Sequence, residues 1–338
     1  MESVEPEPEP DPTAELGKPV ILAPEDGAGI GDDRVYTPKS SPATISSVEA
    51  GKQVSIPAGS FYGAAYGNGK YVGVSAYGQI IYSTNGVSGW TTALTGGGEF
   101  YDVCFGGGKF VAVAYDRKIK YSTDGVSWYN ASGEVNNQFY GVTWGNGKFV
   151  AVGNNGALVY STNGTSFQNA SGKINSTRFT SVAYGDGVYV ATQSSLIAYS
   201  VDANIWYTAT GVSGSDLQHI AFGDGKFIAV GKGTKYFWSD DIPETAVSGM
   251  AFKTLNLGSG TEYYGIDYGN GVFVAAGRTG PTGTSSTATV IDSDTLSYTK
   301  ESLPVAKVWQ PVAYGDNGFV ILNNFDDKTA VWSLAARS

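Results

Sequence analysis

Residue types that support redox, metal and disulfide chemistry are scarce in this chain of 338 residues. It contains one cysteine, one histidine and two methionines. A single cysteine excludes a disulfide within the chain, and one histidine with no second cysteine or histidine cannot supply the usual zinc-binding set. We therefore expect Cys104 to be a buried, inert thiol and His219 to be a polar group of the core. We expect no cofactor and no bound metal.

Basic residues and long apolar runs are also few. The chain has 21 Lys and Arg against 31 Asp and Glu, and its net charge is −10. Because nucleic acids and anionic membranes select clustered cations, neither is an expected partner. No apolar stretch approaches the length of a membrane span, and the acidic first residues do not form a secretory signal.

Two segments precede the main body of the chain. Residues 1–17 include Glu-Pro-Glu-Pro-Glu-Pro-Asp-Pro at positions 5–12, an alternation that favours an extended polyproline-like arm. Residues 18–50 include the apolar run Pro-Val-Ile-Leu-Ala-Pro at 19–24, and we interpret them as an anchoring segment that docks on either the flank of the propeller or another protein. Residues 51–338 form the third unit.

This third unit is a repeat. In each copy an aromatic residue is followed by a glycine-containing turn and a short apolar run. Successive aromatic residues lie 38 to 46 positions apart, a spacing that predicts a toroid or an array. The seven aromatic heads are Tyr66, Phe105, Trp144, Tyr184, Phe222, Tyr268 and Tyr314.

The sequence of each copy predicts four short strands. Asn-Gly or Asp-Gly pairs such as Asn68-Gly69 and Asp186-Gly187 separate the first two runs, and these pairs tolerate the positive φ angles of a two-residue hairpin. A four-stranded meander cannot bury both faces alone, so the copies must stack. The sequence therefore predicts an all-β fold, a seven-bladed β-propeller of four-stranded blades, with the aromatic heads packed between blades.

The two ends of the chain are predicted to close this ring. The last copy ends with its third strand at residues 331–334, and its fourth strand is missing. An unpaired β-rich run lies upstream of the first copy, at about residues 52–57. We expect this run to complete the last blade.

Loops between the second and third strands share one face of the disc with the connections between blades. The fifth and sixth copies carry extra residues, at 240–245 and 277–286, and inserted loops are where binding sites commonly arise. Exposed Tyr, Asn, Asp and Arg on such a rim suit recognition of a sugar or a protein, although an ordinary solvated rim is an equal alternative. The candidate binding residues are Tyr77, Tyr115, Asp116, Arg117, Asn154, Asn155, Gln193, Lys232, Arg278 and Asp326.

Three resemblances indicate the class of protein. The segment Ser-Thr-Asp-Gly-Val-Ser-Trp at 122–128 resembles the Asp-box turn of sialidase-type propellers, in which the box has a structural role. The phrase Gly-Asn-Gly-Lys-Phe-Val-Ala-Val-Gly followed by Tyr-Ser-Thr-Asn-Gly, within residues 145–164, resembles repeats of bacteriophage virion and tail-fibre proteins. Residues 19–31 resemble openings of structural proteins from phages that infect marine cyanobacteria. These resemblances imply a virion component assembled in the host cytoplasm.

Three functions remain open from the sequence. The leading one is a non-enzymatic phage tail or tail-fibre propeller that contacts a host-surface glycan or protein, or neighbouring virion proteins, and is tethered by residues 1–50. The second is a hydrolase. Its candidates are a sialidase-like cluster drawn from Arg117, Arg178, Arg278 and Arg337, or a carboxylate pair formed by Asp102 and Asp267. The favoured reading of the two carboxylates is hydrogen bonding to the blade backbone. The third function is a cellular assembly scaffold.

Overall fold

The computed structural model describes residues 48–49, 56–57, 59–133, 136–172, 174–232, 235–243, 245, 248–258, 260–279, 285–303, 309–323 and 331–336. The predicted arm at 1–17, most of the anchoring segment and Asp326 lie outside this part of the chain. Within it the regular structure is β-strand, apart from one short 3₁₀ turn at Asn154–Gly156.

The first described strand is the two-residue strand β1 (Val48–Glu49). It is followed by six sheets, each built from consecutive strands. Blade 1 comprises β2 (Phe61–Gly67), β3 (Lys70–Ser75), β4 (Ile80–Ser83) and β5 (Thr91–Leu94). Blade 2 comprises β6 (Phe100–Gly106), β7 (Lys109–Ala114), β8 (Ile119–Ser122) and β9 (Tyr129–Asn130). Blade 3 comprises β11 (Phe139–Gly145), β12 (Lys148–Gly153), β13 (Leu158–Ser161) and β14 (Ser166–Asn169), and β10 (Ser132–Gly133) adds a parallel fifth strand beside β14.

The second half of the ring repeats this plan. Blade 4 comprises β15 (Phe179–Gly185), β16 (Val188–Gln193), β17 (Leu196–Ser200) and β18 (Tyr207–Thr208). Blade 5 comprises β19 (Leu217–Gly223), β20 (Lys226–Gly231), β21 (Tyr236–Ser239) and β22 (Lys253–Leu255). Blade 6 comprises β23 (Thr261–Gly269), β24 (Val272–Thr279), β25 (Ser285–Asp292) and β26 (Tyr298–Ser302).

The remaining sheet is composite. It contains β27 (Trp309–Gly315), β28 (Gly318–Asn323) and β29 (Val331–Ala336), and β1 forms its outer edge. Inner strands pack in the order β2, β6, β11, β15, β19, β23, β27, and β27 also packs against β2. The all-β propeller of four-stranded blades is therefore confirmed. Six blades come from consecutive strands, where seven repeats were counted in the sequence, and the seventh position holds the composite sheet.

The N-terminal strand that pairs with this sheet is not the segment predicted at about residues 52–57. Val48 pairs with Ala336 and Glu49 with Ala335, both antiparallel. Of the predicted strand at about 52–57, residues 51–55 lie outside the described part, and Ile56 is not in a strand. Ile56 is 4% exposed and packs with Phe61 and other core residues. Its apolar character thus reflects burial in the connection to β2, which must cross from the outer edge to the ring centre.

The two-residue hairpins have the predicted geometry. Asn68 and Gly69 have φ angles of 47° and 68°, and Asp186 and Gly187 have 44° and 85°. The same pair of positive φ angles recurs at Asn146-Gly147, Asp224-Gly225 and Asn270-Gly271. These turns connect inner strands to second strands, so they define one face of the disc, the hairpin face. Inner strands begin at the opposite face, which we call the loop face.

The turn that resembles an Asp-box is held by its own side chains. Asp124 Oδ1 accepts hydrogen bonds from the amides of Val126 and Ser127 at 2.8 and 2.7 Å, and Ser122 Oγ accepts one from Gly125 at 2.8 Å. The hydrogen bond from the Ser127 amide is the main cause that lowers the pKa of Asp124 to about 2. Asn85 and Asn163 accept the corresponding bonds in blades 1 and 3. The role of this turn in the fold is structural.

The aromatic heads hold neighbouring blades together through glycine. A Cβ built on Gly145 would lie 2.0 Å from the Tyr184 ring, and one built on Gly106 would lie 2.0 Å from the Trp144 ring. The same contact occurs at every junction of the ring and closes it where Gly315 faces Tyr66. Each head also packs on an aromatic residue of its own second strand, with ring centroids 4.4 to 4.9 Å apart. The predicted packing of the heads between blades is confirmed.

Gly145→Ala is expected to destabilise the protein strongly, because the new methyl group would overlap the Tyr184 ring and force the two blades apart. Overpacking of this kind costs about 1–3 kcal/mol or more. The matched control is Gly147→Ala, where φ is +71° and nothing lies within 4 Å of an added methyl group, so only backbone strain of about 1–2 kcal/mol applies. Chemical denaturation measures both. Equal losses would contradict the packing argument.

Candidate functional site

Three tyrosines form a row on the loop face, across blades 1 to 3. Tyr62, Tyr101 and Tyr140 are the second residues of β2, β6 and β11. The ring centroids of Tyr62 and Tyr101 lie 5.1 Å apart, and those of Tyr101 and Tyr140 lie 4.8 Å apart. The first residue of each strand is a buried phenylalanine. Each tyrosine is half-buried and lies at an irregularity in the pairing of its strand with the second strand of the blade, where the regular alternation of side chains is interrupted.

The row is extended by one cation and one further ring. The Arg178 guanidinium lies over the Tyr140 ring, 4.9 Å from its centroid, and its side chain is exposed. Tyr115, 42% exposed, lies 6.3 Å from Tyr101. We call Tyr62, Tyr101, Tyr140, Tyr115 and Arg178 the tyrosine row. The rings meet in tilted and edge-to-face contacts. Together with the guanidinium they offer apolar contacts, hydroxyl groups and a positive charge to a ligand.

A second polar aromatic group lies on blade 6. Tyr264 donates a hydrogen bond of 2.8 Å to Glu262, and Arg278 Nε donates one of 2.7 Å to the same carboxylate oxygen. Burial would raise the pKa of Glu262, but the hydrogen bonds from Arg278 and Tyr264 lower it. Lys232 and Arg278 lie 5.3 and 5.7 Å from the centroid of the Tyr264 ring. The predicted candidates Lys232 and Arg278 therefore lie close together, beside the Tyr264 ring.

The other candidates are scattered around the face. Asp116 forms an ion pair with Lys118 at 2.7 Å, and Arg117 donates a hydrogen bond to Asn136 at 3.0 Å. Tyr77 is 60% exposed. Asn154 and Asn155 form the 3₁₀ turn of blade 3. Each of these residues lies on the predicted rim, but the structure gathers them into no single pocket.

Gln193 does not belong to the exposed rim. It is 2% exposed, and its Nε2 donates hydrogen bonds to Asn175 and to the carbonyl of Thr177 at 2.8 and 3.2 Å. The prediction of a rim position for this residue is wrong, because its amide satisfies the backbone of the connection between blades 3 and 4.

Cations outnumber anions among the loop-face side chains that the structure describes. They are Arg117, Lys118, Arg178, Lys232, Lys235 and Arg278, against Glu99, Asp116, Asp216 and Glu262. The chain as a whole has a net charge of −10. The described part of this face is therefore less acidic than the whole chain.

The inner strands enclose a central cavity of about 100 Å³ lined in part by Asp102, Asp267 and His219. Both oxygens of Asp102 accept backbone hydrogen bonds, from Val103 at 2.8 Å and from Val142 of the next blade at 2.9 Å. Asp267 repeats the pattern with Tyr268 and Tyr314, each at 2.8 Å. The favoured interpretation of both carboxylates, as partners of the blade backbone, is confirmed.

Burial shifts the titration of the channel groups. It raises the pKa of Asp102 to about 7, although two amide donors favour the carboxylate, and it lowers the pKa of His219 to about 4. His219 Nδ1 is buried and has no hydrogen-bond partner among the described residues. Cys104 is buried, as predicted, and burial raises the pKa of its thiol.

Sequence reasoning placed the binding candidates in loops. Of the tyrosine row it named only Tyr115 as a binding residue, and it missed Tyr62, Tyr101 and Tyr140. The signal was present as Phe-Tyr at 61–62, 100–101 and 139–140 and as Tyr-Tyr at 263–264. An aromatic pair at the start of an inner strand puts one ring in the core and the other at the mouth. Arg178 could be placed before its strand, but its contact with Tyr140 depends on the packing of two blades.

His219→Gln is expected to change the dependence of stability on pH. The unfolded chain protonates this imidazole near its ordinary pKa of 6.5, whereas the folded chain resists protonation down to about pH 4. The native protein therefore loses stability relative to the variant as pH falls through this window, by at most about 1.4 kcal/mol per pH unit.

Urea denaturation between pH 4.5 and 7 measures this difference. In the same pH window the titration of the Asp102 carboxyl changes stability in the opposite direction. The contribution of the imidazole is therefore isolated only by comparing the native and variant chains. Ser181→Ala, at the corresponding position of blade 4, is the non-titrating control. Parallel pH curves for the native chain and His219→Gln would contradict the assignment.

Comparisons with known proteins give the fold. The chain matches no family model and no curated protein. Among solved structures it is similar to YCF48 from Cyanidioschyzon merolae, with TM-score 0.65, 16% identity, and coverage of 85% of this chain and 98% of that one.

Two further solved structures are similar. The WD40 β-propeller domain of Doa1 has TM-score 0.61 and 17% identity, with coverage of 88% and 96%. A structure of YCF48 bound to D1 peptide has TM-score 0.63 and 13% identity, with coverage of 85% and 96%. Within the described residues no group of three metal-ligating side chains and no membrane-spanning helix occurs. At these identities the likeness establishes a β-propeller and nothing finer.

Proposed function

We propose that this chain is a non-catalytic interaction propeller that binds a peptide segment of a protein partner on its tyrosine row. The observation that carries the proposal is the row of neighbouring rings of Tyr62, Tyr101 and Tyr140, with tilted and edge-to-face contacts, and Arg178 over the last ring. Half-buried rings that are already held in place lose little conformational freedom when a ligand stacks on them. The Arg178 guanidinium beside them would attract a carboxylate of the ligand and so fix the orientation in which the ligand binds.

A peptide partner is favoured by the solved structures as well as by the rings. One similar propeller was solved with a bound peptide, and propellers of unrelated sequence serve as protein-interaction platforms. A row of rings open on one side accepts an extended chain, because alternate side chains can stack while the peptide backbone stays solvated.

The hydrolase alternative has less support from the geometry. The carboxylates of Asp102 and Asp267 are each held by two backbone amides, in separate parts of the ring. The three described arginines bind three different partners: Arg117 contacts Asn136, Arg178 contacts Tyr140, and Arg278 contacts Glu262. A sialidase needs its arginines directed at one substrate carboxylate.

The proposal includes the closure of the ring. The composite sheet would act as a seventh blade, with β1 completing the sheet at the edge of β29. Pairing of the two chain ends would protect an edge strand that otherwise invites aggregation. Two ladder pairs, Val48 with Ala336 and Glu49 with Ala335, support this role.

The proposed setting is a phage particle, in the tail or a tail fibre, as the resemblance of the repeats implies. In such a particle the residues before β1 would tether the propeller to neighbouring virion proteins, and the tyrosine row would contact the host surface or another virion protein.

Alanine at Tyr101 or Tyr140 is expected to weaken peptide binding about tenfold each, because the loss of one stacked ring removes about 1 kcal/mol or more. The probe is an array of synthetic peptides rich in proline and acidic residues, with a glycan array beside it. Tyr129→Ala is the matched control, since Tyr129 is 57% exposed on the outer strand of blade 2.

Binding to glycans alone would replace the peptide proposal with an adhesin, and release of sugar from the glycans would establish a hydrolase. Equal peptide binding by Tyr140→Ala and Tyr129→Ala would remove the tyrosine row from the site.

Deletion of residues 1–46 is expected to prevent incorporation of the chain into phage particles, because it removes the tether but keeps β1. Mass spectrometry of purified particles measures incorporation. Tyr129→Ala, outside the tyrosine row, is the control and should be incorporated normally. Normal incorporation of the deleted chain would contradict the tether.

A further inference from the structure

Three blades carry an acid at the same place of the repeat, two residues before the position that Tyr101 holds in blade 2. In each of them the carboxylate accepts a hydrogen bond from the side chain at that position. These pairs are Glu99 with Tyr101 at 2.8 Å, Asp216 with Gln218 at 2.9 Å and Glu262 with Tyr264 at 2.8 Å. The repeated frame therefore allows the three acids to be compared directly.

In blades 5 and 6 a cation stands opposite the acid. Arg278 pairs with Glu262 across the strands, and its Nε donates a hydrogen bond of 2.7 Å to the carboxylate. The Lys232 amide donates a hydrogen bond of 2.9 Å to the Asp216 carbonyl, so Lys232 holds the corresponding place in blade 5. Blade 6 thus shows how a guanidinium binds to a glutamate that also accepts a hydrogen bond from a tyrosine.

Blade 2 has a tyrosine in the place of the cation. The Tyr115 amide donates a hydrogen bond of 2.8 Å to the Glu99 carbonyl, so Tyr115 corresponds to Arg278 of blade 6. No ion pair to Glu99 occurs in the part of the chain that the structure describes. Among the described residues, Glu99 is therefore the one acid of the three that has no cation opposite it.

The carboxylate of Glu99 can accept a further donor. It is half-buried, and the described structure gives it one side-chain hydrogen bond, from Tyr101, whereas a carboxylate can accept about four. Burial and the neighbouring Glu99 raise the pKa of Tyr101, so the hydroxyl stays protonated and remains the donor of that bond. Of the two basic residues on the adjacent loop, Lys118 pairs with Asp116, and Arg117 donates a hydrogen bond to the connection between blades 2 and 3.

We infer that Glu99, Tyr101 and Tyr115 bind an arginine side chain of the peptide partner, as the corresponding residues of blade 6 hold their own arginine. This inference rests on the proposed function of the tyrosine row and names a side chain that the partner carries. A guanidinium presents its donors in a planar fork that fits a carboxylate, and its face packs on aromatic rings. Arg178, at the Tyr140 end of the row, would attract a carboxylate of the same peptide. The partner would then carry an arginine and an acidic residue in a fixed order.

Matched arginine and citrulline peptides test the inference, because citrulline has the shape of arginine without its charge. The probes are fluorescent synthetic peptides of eight residues that carry one glutamate and, at varied spacing from it, one arginine or one citrulline. Fluorescence anisotropy measures their binding to the full-length chain. Arginine peptides are expected to bind about tenfold more tightly than their citrulline counterparts, because citrulline loses the charge-assisted hydrogen bond and the contact of a cation with the rings.

Three variants locate this preference. Glu99→Gln keeps an acceptor for the Tyr101 hydroxyl but removes the charge, and it should abolish the preference for arginine. Tyr115→Arg builds the arrangement of blade 6 and fills the site from within, so it should have the same effect. Asp116→Asn removes one negative charge from the adjacent loop and is the control, so it should retain the preference.

Equal binding of the arginine and citrulline peptides by the native chain would overturn the inference. A preference that survives Glu99→Gln, or that disappears in Asp116→Asn, would also overturn it. The outcome is separable from that of the proposed function. If binding is lost in Tyr140→Ala but shows no preference for arginine, the tyrosine row is a peptide site and Glu99 is not part of it. If no peptide binds, the proposed function fails as well.

Discussion

The contact between an aromatic ring of one blade and a glycine of the preceding blade is the constraint on which the structure depends. At Gly145 and Gly106 the neighbouring ring occupies the volume that a side chain would fill. The same ring packs on an aromatic residue of its own blade, so each head joins two sheets. Because every junction repeats this contact, the blades are held at a uniform distance, and the sequence between the junctions can vary.

That uniform frame makes the differences between blades informative. At the second position of the inner strand, blades 1, 2 and 3 carry tyrosine, while blade 4 carries Thr180 and blade 5 carries Gln218. The frame therefore presents an asymmetric face: a run of three neighbouring rings beside Arg178, and a separate group around Tyr264. Under the proposed function, this asymmetry would give a ligand one site and one orientation on the loop face, although the backbone is nearly symmetric.

The sequence predicted the frame better than the site. Asn-Gly and Asp-Gly pairs require positive φ angles, so the hairpins could be located residue by residue, and the aromatic heads could be assigned to the junctions. The strand that pairs with β29 could not be located from the sequence. Ile56 is buried outside any strand, but its apolar character is the same as that of a strand residue. The two-residue strand β10 has no pattern of its own; its parallel pairing with β14 follows from where the chain passes. The contact of Arg178 with Tyr140 likewise exists only once two blades are packed.

The pairing of β1 with β29 also has a mechanical consequence. A pull on the N-terminal end of the chain reaches the ring at two ladder pairs, Val48 with Ala336 and Glu49 with Ala335. Since β1 and β29 run in opposite directions, the hydrogen bonds of this short ladder lie across the strands, and they bear tension applied along β1 as shear. A pull on the N-terminal end would therefore load this two-pair ladder before any other described strand pair of the ring.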